Sequence, residues 1–376
     1  MAVDIREIDP RKHGELKVFI NLPEKIHAGH KNWVYPLYSD DWKYFDPRKN
    51  KAFSYCDTIL LVAWKDGKPT GRIMGIINNR YNQYRQEKTA RFGYFETYED
   101  PEVFKALLHR IEEWGRSKGM TKIVGPYGFS DQDPEGWLIE GFEHHATIAT
   151  YFNFEWMPKW LAEEGYTKDN DWFVYKLDVP KSTPERYLKV FERKMRSGMF
   201  RIIEFQKRKE IKPWIHKVLG LMNETYMANN IYGYAPLDEQ EMDELAGRFL
   251  PILDTRFVKV VAKDDEVLAF IVAMPDMTEG INKARGHLFP FGFIHILRAA
   301  KKTKQLYLLL GAVKEPYRSQ GLTALLGVKV LDSAKKAGIE IMDTHHEMEG
   351  NEKVRDVMEG FGGTIYKRYR AFQKAL

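Results

Sequence analysis

A chain of 376 residues, 44% hydrophobic and 30% charged, holds enough apolar material for two ordinary globular domains. Its formal charge of +5 is spread among interspersed residues of both signs, which is no nucleic-acid footprint but suits an anionic ligand or an anionic membrane surface. The single cysteine, Cys56, excludes an intrachain disulfide, Met1 to Pro10 lacks the apolar run of a signal peptide, and no apolar run reaches membrane-spanning length. These features lead to the expectation of a cytoplasmic chain, soluble or peripheral at the inner face of the membrane.

The first half alternates strand and helix patterns. Val3–Ile8 reads as a strand and Leu16–Ile26 as a helix. His30–Tyr55, rich in Trp, Tyr, Pro and Asp, reads as an ordered irregular loop. Thr58–Trp64 and Thr70–Ile77 flank Lys65-Asp66-Gly67-Lys68, and Asp-Gly at the centre marks a tight hairpin. After a strand at Ala90–Tyr98, Asp100-Pro101 starts a helix, with Asp accepting from the first amides and Pro at the first helical position. That helix runs to about Ser117 and stops at Gly119; Thr121–Gly125 and Trp172–Leu177 follow as strands.

The second half repeats the order. Phe200–Phe205 is a strand, Pro213–Met227 and Asp238–Leu253 are helices, and Phe257–Lys263 and Val267–Met274 form a second hairpin around Asp264-Asp265-Glu266. Leu306–Val313 is a strand, Gly321–Ala337 a helix, Ile339–Glu347 a strand, Asn351–Glu359 a helix and Thr364–Phe372 the closing strand. The pattern is that of an α+β chain, α/β-like in its alternation, with one architecture used twice. The expected boundaries are a first domain over 1–179, a charged helical connector over 180–199 and a second domain over 200–376.

Chemistry concentrates where the strand Leu306–Val313 passes into a helix through Arg318-Ser319-Gln320-Gly321-Leu322-Thr323. An anion here faces free amides at a helix N-terminus, Gly321 admits close backbone approach, and Arg318 adds a charged contact. Taken alone, the segment reads better as an ordinary strand-to-helix turn with a surface arginine, since glycine-containing turns of that kind are common. However, it resembles the acyl-CoA pyrophosphate loop of the GNAT superfamily: Arg or Gln, two residues, Gly, any residue, then Gly or Ala. Arg318 and Gly321 match, and Thr323 departs at the last position. Asn351 matches a position that superfamily members use beside the pantetheine arm.

A wider resemblance rests on Gly71-Arg72-Ile73, Gly93-Tyr94-Phe95-Glu96, Gly125-Pro126-Tyr127, Met274-Pro275-Asp276, Leu288-Phe289-Pro290-Phe291-Gly292 and Gly362-Gly363-Thr364 with Tyr366-Lys367. Together these are similar to the YghO-like family, which includes bacterial ceramide synthases. The resemblance implies two tandem GNAT (acyl-CoA N-acyltransferase) domains, each a mixed, mostly antiparallel sheet flanked by helices. It further implies acyl-CoA or acetyl-CoA as co-substrate, an amine acceptor, and transfer of a fatty acyl group to a sphingoid amine. By superfamily resemblance the backbone of Leu309–Ala312 donates to the acyl carbonyl, while the position of the usual tyrosine acid is Met358.

The first half lacks the phosphate loop, and its Glu99-Asp100-Pro101-Glu102 would repel a pyrophosphate. CoA is therefore expected only in the second half. Along Ile339–Glu347, alternation puts Asp343, His345 and Glu347 on one face as candidates for proton transfer, and a solvated strand end is an equal reading. The same alternation sends His345 and His346 to opposite faces, and no metal-ligand spacing is present. Ile281–Lys304 adds Phe289, Phe291 and Phe293, then Arg298, Lys301, Lys302 and Lys304. It reads as an acyl-chain wall, a contact with an anionic membrane, or a buried loop-helix. The expected activity is N-acyl transfer from acyl-CoA to an amine, with no metal and no nucleic-acid partner. The alternatives are a small-molecule acetyltransferase, a Fem-like aminoacyl transferase and a non-catalytic ligand-binding protein.

Overall fold

The computed structural model describes residues 2–147 and 150–376. In the first half the elements are β1 (Asp4–Glu7), α1 (His13–Ile26), α2 (Tyr38–Tyr44), β2 (Cys56–Lys65), β3 (Lys68–Asn78), α3 (Asn79–Arg85), β4 (Thr89–Thr97), α4 (Pro101–Ser117), β5 (Lys122–Gly125), β6 (Trp137–Glu140), α5 (Trp156–Glu163) and β7 (Thr167–Asp178). There follow α6 (Glu185–Arg196), β8 (Arg201–Glu204), α7 (Ile215–Ala228), α8 (Glu239–Phe249), β9 (Val258–Lys263), β10 (Glu266–Pro275), α9 (Thr278–Lys283) and α10 (Gly292–Lys302). The chain ends with β11 (Gln305–Val313), α11 (Leu322–Lys336), β12 (Ile341–Thr344), β13 (Glu347–Met348), α12 (Glu352–Gly360) and β14 (Thr364–Ala375).

Two compact units emerge, and neither is continuous in sequence. Unit 1 comprises Met1–Phe173, Met277–Arg298 and Tyr366–Leu376; unit 2 comprises Val174–Asp276 and Ala299–Ile365. The segment between β10 and β11, and the last strand, thus pack with the first half of the chain.

Unit 1 has the strand order β1-β2-β3-β4-β5-β14, with β4 and β5 parallel and the other pairs antiparallel. The β2–β3 hairpin closes on Asp66 and Gly67, both at positive φ (55° and 74°), as the Asp-Gly pair requires. Alternation on β2 feeds two cores: Ile59, Leu61 and Ala63 pack with α4, Leu60 and Val62 with α1. Helix α4 buries Val103, Phe104, Leu107, Leu108, Ile111 and Trp114, a stripe at three- and four-residue spacing. Each such side chain contributes about 1.5–3 kcal/mol when fully buried.

Unit 2 has the order β7-β12-β11-β10-β9-β8, entered by the end of β7 from Val174 onward. Here β11 and β12 are parallel and the other pairs antiparallel. One core lies under α7 and α8 around Leu221, Met222, Val260 and Phe270; another lies under α11 around Val261, Leu268, Leu322 and Leu325. Each unit therefore contains one parallel pair joined by a helix, β4-α4-β5 in unit 1 and β11-α11-β12 in unit 2.

Candidate functional site

The proton-transfer and cofactor-binding candidates singled out in the sequence lie in unit 2, whereas the three phenylalanines and Arg298 lie in unit 1. The β11–β12 ladder runs only from Gln305↔Ile341 to Leu308↔Thr344, with a last link from the His345 N–H to the Leu308 carbonyl at 2.9 Å. Strand β11 continues to Val313 with a partner only on its β10 side. On that side Val272 faces Leu310 and Ala273 faces Leu308, so Leu309 is the extra residue of a β-bulge. Leu308, Leu309 and Leu310 are partly exposed and Gly311 is exposed. The sheet thus opens past Thr344, and among the described residues the side of β11 away from β10 has no strand partner from Leu309 to Val313. Backbone groups on such an edge require other partners, and a ligand lying along it can supply them.

This edge leads into the anion turn. Glu315–Gln320 form a short 3₁₀ helix, and α11 begins after Gly321, whose φ of +82° strains any residue with a side chain. No side chain caps α11, so its first amides face outward at the positive end of the helix. Arg318 donates to Asn229 Oδ1 at 2.8 Å and to the Val313 carbonyl at 3.3 Å, and it pairs with Glu315 at 2.6 Å. The guanidinium therefore ties the turn to the end of α7 as well as charging it. A Cβ placed on Gly321 would meet Val190 of α6 at 2.7 Å and stand 4.0 Å from the Lys194 side chain. Helix α6 thus brings a second cation to the turn. The sequence marks Lys194 only as one charge in a charged connector.

The proton-transfer candidates sit where the strands diverge. Asp343 is buried at 1% exposure and accepts from Gln305 Nε2 at 3.3 Å. The strand expected over Ile339–Glu347 stops at Thr344 and resumes at Glu347–Met348. Alternation therefore fails in between, and the His345 and His346 rings stack with centroids 4.9 Å apart and planes 12° apart, not on opposite faces. Burial lowers the His345 imidazole to about 4, so it is neutral at physiological pH. Burial raises the Glu347 carboxyl to about 8, so it is mostly protonated at pH 7 and titrates just above.

Asn351 stands at the N-cap of α12 with its amide on the Met348 carbonyl at 2.9 Å, and its side chain does not cap the helix. The sequence reading did not single out Tyr175, which the structure places between β12 and α12. Tyr175 of β7 donates its hydroxyl to Glu359 at 2.9 Å and accepts from Arg355 Nε at 3.2 Å, while its amide donates to Thr344 Oγ1 at 2.9 Å. Fully buried, Tyr175 anchors α12 beside the end of β12. Among the described residues no cluster of three or more His, Cys, Asp or Glu has the geometry of a metal site.

Unit 1 carries the equivalent strand pair in closed form. Its β4–β5 ladder runs from Thr89↔Lys122 to Arg91↔Val124, and β4 bulges at Tyr94–Phe95 opposite Ile73. There the following chain covers the opening. The Tyr127 amide donates to the Phe92 carbonyl at 2.8 Å, Arg91 donates to the Gly128 and Phe129 carbonyls at 3.2 and 2.9 Å, and a Cβ on Gly93 would meet the Tyr127 carbonyl at 2.6 Å. The Tyr94 amide is taken by the Tyr151 hydroxyl at 3.4 Å. The start of α4 is occupied as well. Asp100 accepts from the Glu102 and Val103 amides at 3.1 and 3.3 Å, and Lys65 bridges Asp100 and Glu102 at 2.7 and 2.9 Å. Phe289, Phe291 and Phe293 also belong to unit 1, where they are 79%, 67% and 42% exposed; they line no interior wall.

No protein-family model matches the chain. Over 380 residues it is 27% identical to a bacterial ceramide synthase of Caulobacter vibrioides, covering 99% of this chain and 98% of the relative. It is 26% identical over 373 residues to Protein YghO of Escherichia coli, covering 96% and 93%. Among solved structures, a tandem GNAT protein from the clavulanic acid biosynthesis pathway aligns with 99% of this chain and 98% of its own, at a TM-score of 0.55 and 10% identity. The two β-α-β openings, one closed and one open, are thus the two halves of a tandem GNAT fold, in a chain similar along nearly its whole length to a bacterial ceramide synthase and to YghO.

Proposed function

We propose that unit 2 binds acyl-CoA and that the chain transfers the acyl group to an amine. In keeping with the name of the Caulobacter relative, the donor is a long-chain acyl-CoA and the acceptor a sphingoid-like or other amino-lipid amine. The observation that carries this reading is the β11–β12 opening, which runs from the bulge at Leu309 to a helix start with no side-chain cap at Gly321. A pantetheine arm suits the free strand edge, and a pyrophosphate suits the amides of Gly321, Leu322 and Thr323, with Ser319 and Gln320 shaping the turn and Arg318 and Lys194 supplying charge. Asn351 is assigned to the same arm by its resemblance to the superfamily position.

The chemistry needs a neutral amine and donors for the developing oxyanion. The backbone around Leu309 is assigned to the thioester carbonyl. Glu347 is assigned as base: a carboxyl held at about 8 matches an ammonium better than an imidazole held at about 4. The amine nitrogen bonds to the acyl carbon, the carbon–sulfur bond breaks, Glu347 takes the ammonium proton, and CoA leaves as thiolate or thiol. His345 stays neutral throughout and adds no charge against the incoming ammonium. Asp343, buried on Gln305, positions the end of β12.

A thermal-shift series with CoA, acetyl-CoA and palmitoyl-CoA tests the reading, together with mass spectrometry of sphinganine incubated with palmitoyl-CoA. A larger shift with palmitoyl-CoA and an N-palmitoyl product are expected. Equal shifts with acetyl-CoA and no lipid product would move the assignment to small-molecule acetyl transfer. No shift with any CoA species would remove the acyl-CoA site and leave aminoacyl transfer or ligand binding.

A further inference from the structure

The segment Met277–Arg298 of unit 1 ends in an apolar display. Phe289, Phe291, Phe293 and Leu297 are 79%, 67%, 42% and 47% exposed, and no Asp, Glu, Lys or Arg interrupts the run from Leu288 to Leu297. Phe289 and Phe293 have ring centroids 6.3 Å apart, so the rings form one patch. Arg298, Lys301 and Lys302 follow on the same helix, α10, and all three are exposed.

The patch is held out by construction. Within unit 1, Arg285 pairs with Glu24, the Tyr38 amide donates to the Gly286 carbonyl at 3.2 Å, and the Tyr35 amide donates to Asn282 Oδ1 at 3.3 Å. Helix α10 lies so close to α9 that a Cβ on Gly280 would meet Ile296 Cα at 2.6 Å, while Ile296 itself is buried. The Gly292–Arg298 part of the helix is therefore held in unit 1 through Ile296, while Phe289 and Phe291 just before it and Phe293 and Leu297 on it are exposed.

We propose that this display is a membrane-docking wedge: the phenylalanines enter the interface of an anionic bilayer, and Arg298, Lys301 and Lys302 meet its headgroups. Charge decides the occupant. Lys304 is neutralised by Glu340 at 2.6 Å, but among the described residues no carboxylate pairs with Arg298, Lys301 or Lys302. Size points the same way. Three rings exposed to this degree offer on the order of 400 Å², about half of what a stable protein interface takes from each partner. Partial insertion plus attraction to anionic lipid needs no more. Each base near an anionic leaflet is worth about fivefold in partitioning. No described helix is long and apolar enough to cross a membrane, so contact is made at the surface. Docking stands apart from the acyl-CoA reading, because vesicle binding is measured without turnover.

Flotation with vesicles of phosphatidylcholine alone and of phosphatidylcholine with 30% phosphatidylglycerol tests the proposal. The wild-type chain is expected to float with the anionic vesicles and poorly with the neutral ones. Phe289→Ser/Phe291→Ser/Phe293→Ser should lose more than tenfold in partitioning with an unchanged melting temperature, since the rings are exposed. Lys301→Glu/Lys302→Glu should lose binding to anionic vesicles specifically. Absence of wild-type flotation with either vesicle would overturn the proposal, as would undiminished flotation of the triple serine variant. A dimer in size-exclusion chromatography that the serine variant converts to monomer, without vesicle binding, would replace the bilayer with a second copy of the chain.

Discussion

Strand β4 in unit 1 and strand β11 in unit 2 begin alike: each pairs with its parallel neighbour over a few residues, bulges, and passes toward a helix. They end differently. Residues Thr89 to Phe95 of β4 are all buried, and the chain after β5 fills the gap. On β11 the corresponding stretch is partly exposed and no strand among the described residues pairs with it on the β12 side. The helix starts differ in the same sense. Helix α4 receives a carboxylate from its own chain at Asp100, neutralised by Lys65, whereas α11 begins at a glycine in the left-handed region with no side-chain cap. An internal carboxylate satisfies the same amides that an external phosphate would, so the cap on α4 closes to an anion a helix start of the kind that α11 leaves open. One architecture thus yields a scaffold or a site according to whether its opening is filled from within.

The comparison breaks first at Glu347. Glu347→Gln is expected to lower acyl transfer by about 100- to 10,000-fold, and the wild-type rate should climb with pH toward a plateau above about 8. The sign for stability is opposite. Burial raises the folded-state pKa of Glu347, so the folded state holds a proton that the unfolded chain releases from about pH 4.5 upward. The stabilisation is complete below that pH, falls through the window and is gone above about 8. The amide variant escapes this penalty and should melt higher than wild type at pH 9 while matching it at pH 4. A variant that loses activity and stability together at pH 9 would make Glu347 a structural residue.

Gly321→Val comes next. It adds a Cβ at positive φ and drives it into Val190, so CoA affinity should fall more than tenfold and stability by about 1–3 kcal/mol. Arg318→Ala leaves the backbone in place but removes the charge and its tie to Asn229; CoA binding should weaken by roughly 1–3 kcal/mol, read by calorimetry. The smallest effect sharpens the contrast from the other side. Asp100→Ala in unit 1 removes the α4 cap and should cost about 1 kcal/mol of stability, seen as a lower melting temperature, with CoA affinity unchanged.

The parts of the fold written in local chemistry were legible in the sequence. Asp66-Gly67 and Asp264 sit at positive φ in the two expected hairpins, and Asp100-Pro101 caps α4 as its residue types require. The Arg318–Thr323 turn lies at a helix start as anticipated. Tertiary effects were not legible. Strand β12 ends at Thr344, where the ladder to β11 gives out, so the period-two pattern past it sorts His345 and His346 wrongly. Helix α2 forms inside a stretch whose Pro, Trp and Tyr content reads as loop. The segment after β10 packs with the first half through Arg285, Gly286 and Asn282, contacts to residues some 250 positions away that no local pattern encodes. Tyr175 meets α12 and Lys194 meets the Gly321 turn through strand and helix placement, and neither carries a motif.

The central claim is that one half of this chain has an open CoA site and the other a closed copy, and binding stoichiometry tests it most directly. Calorimetric titration with CoA should give one site per chain for the wild type, one site of unchanged affinity for Asp100→Ala, and a loss of more than tenfold for Gly321→Val. Two sites per chain, or a single site that survives Gly321→Val and disappears in Asp100→Ala, would contradict it.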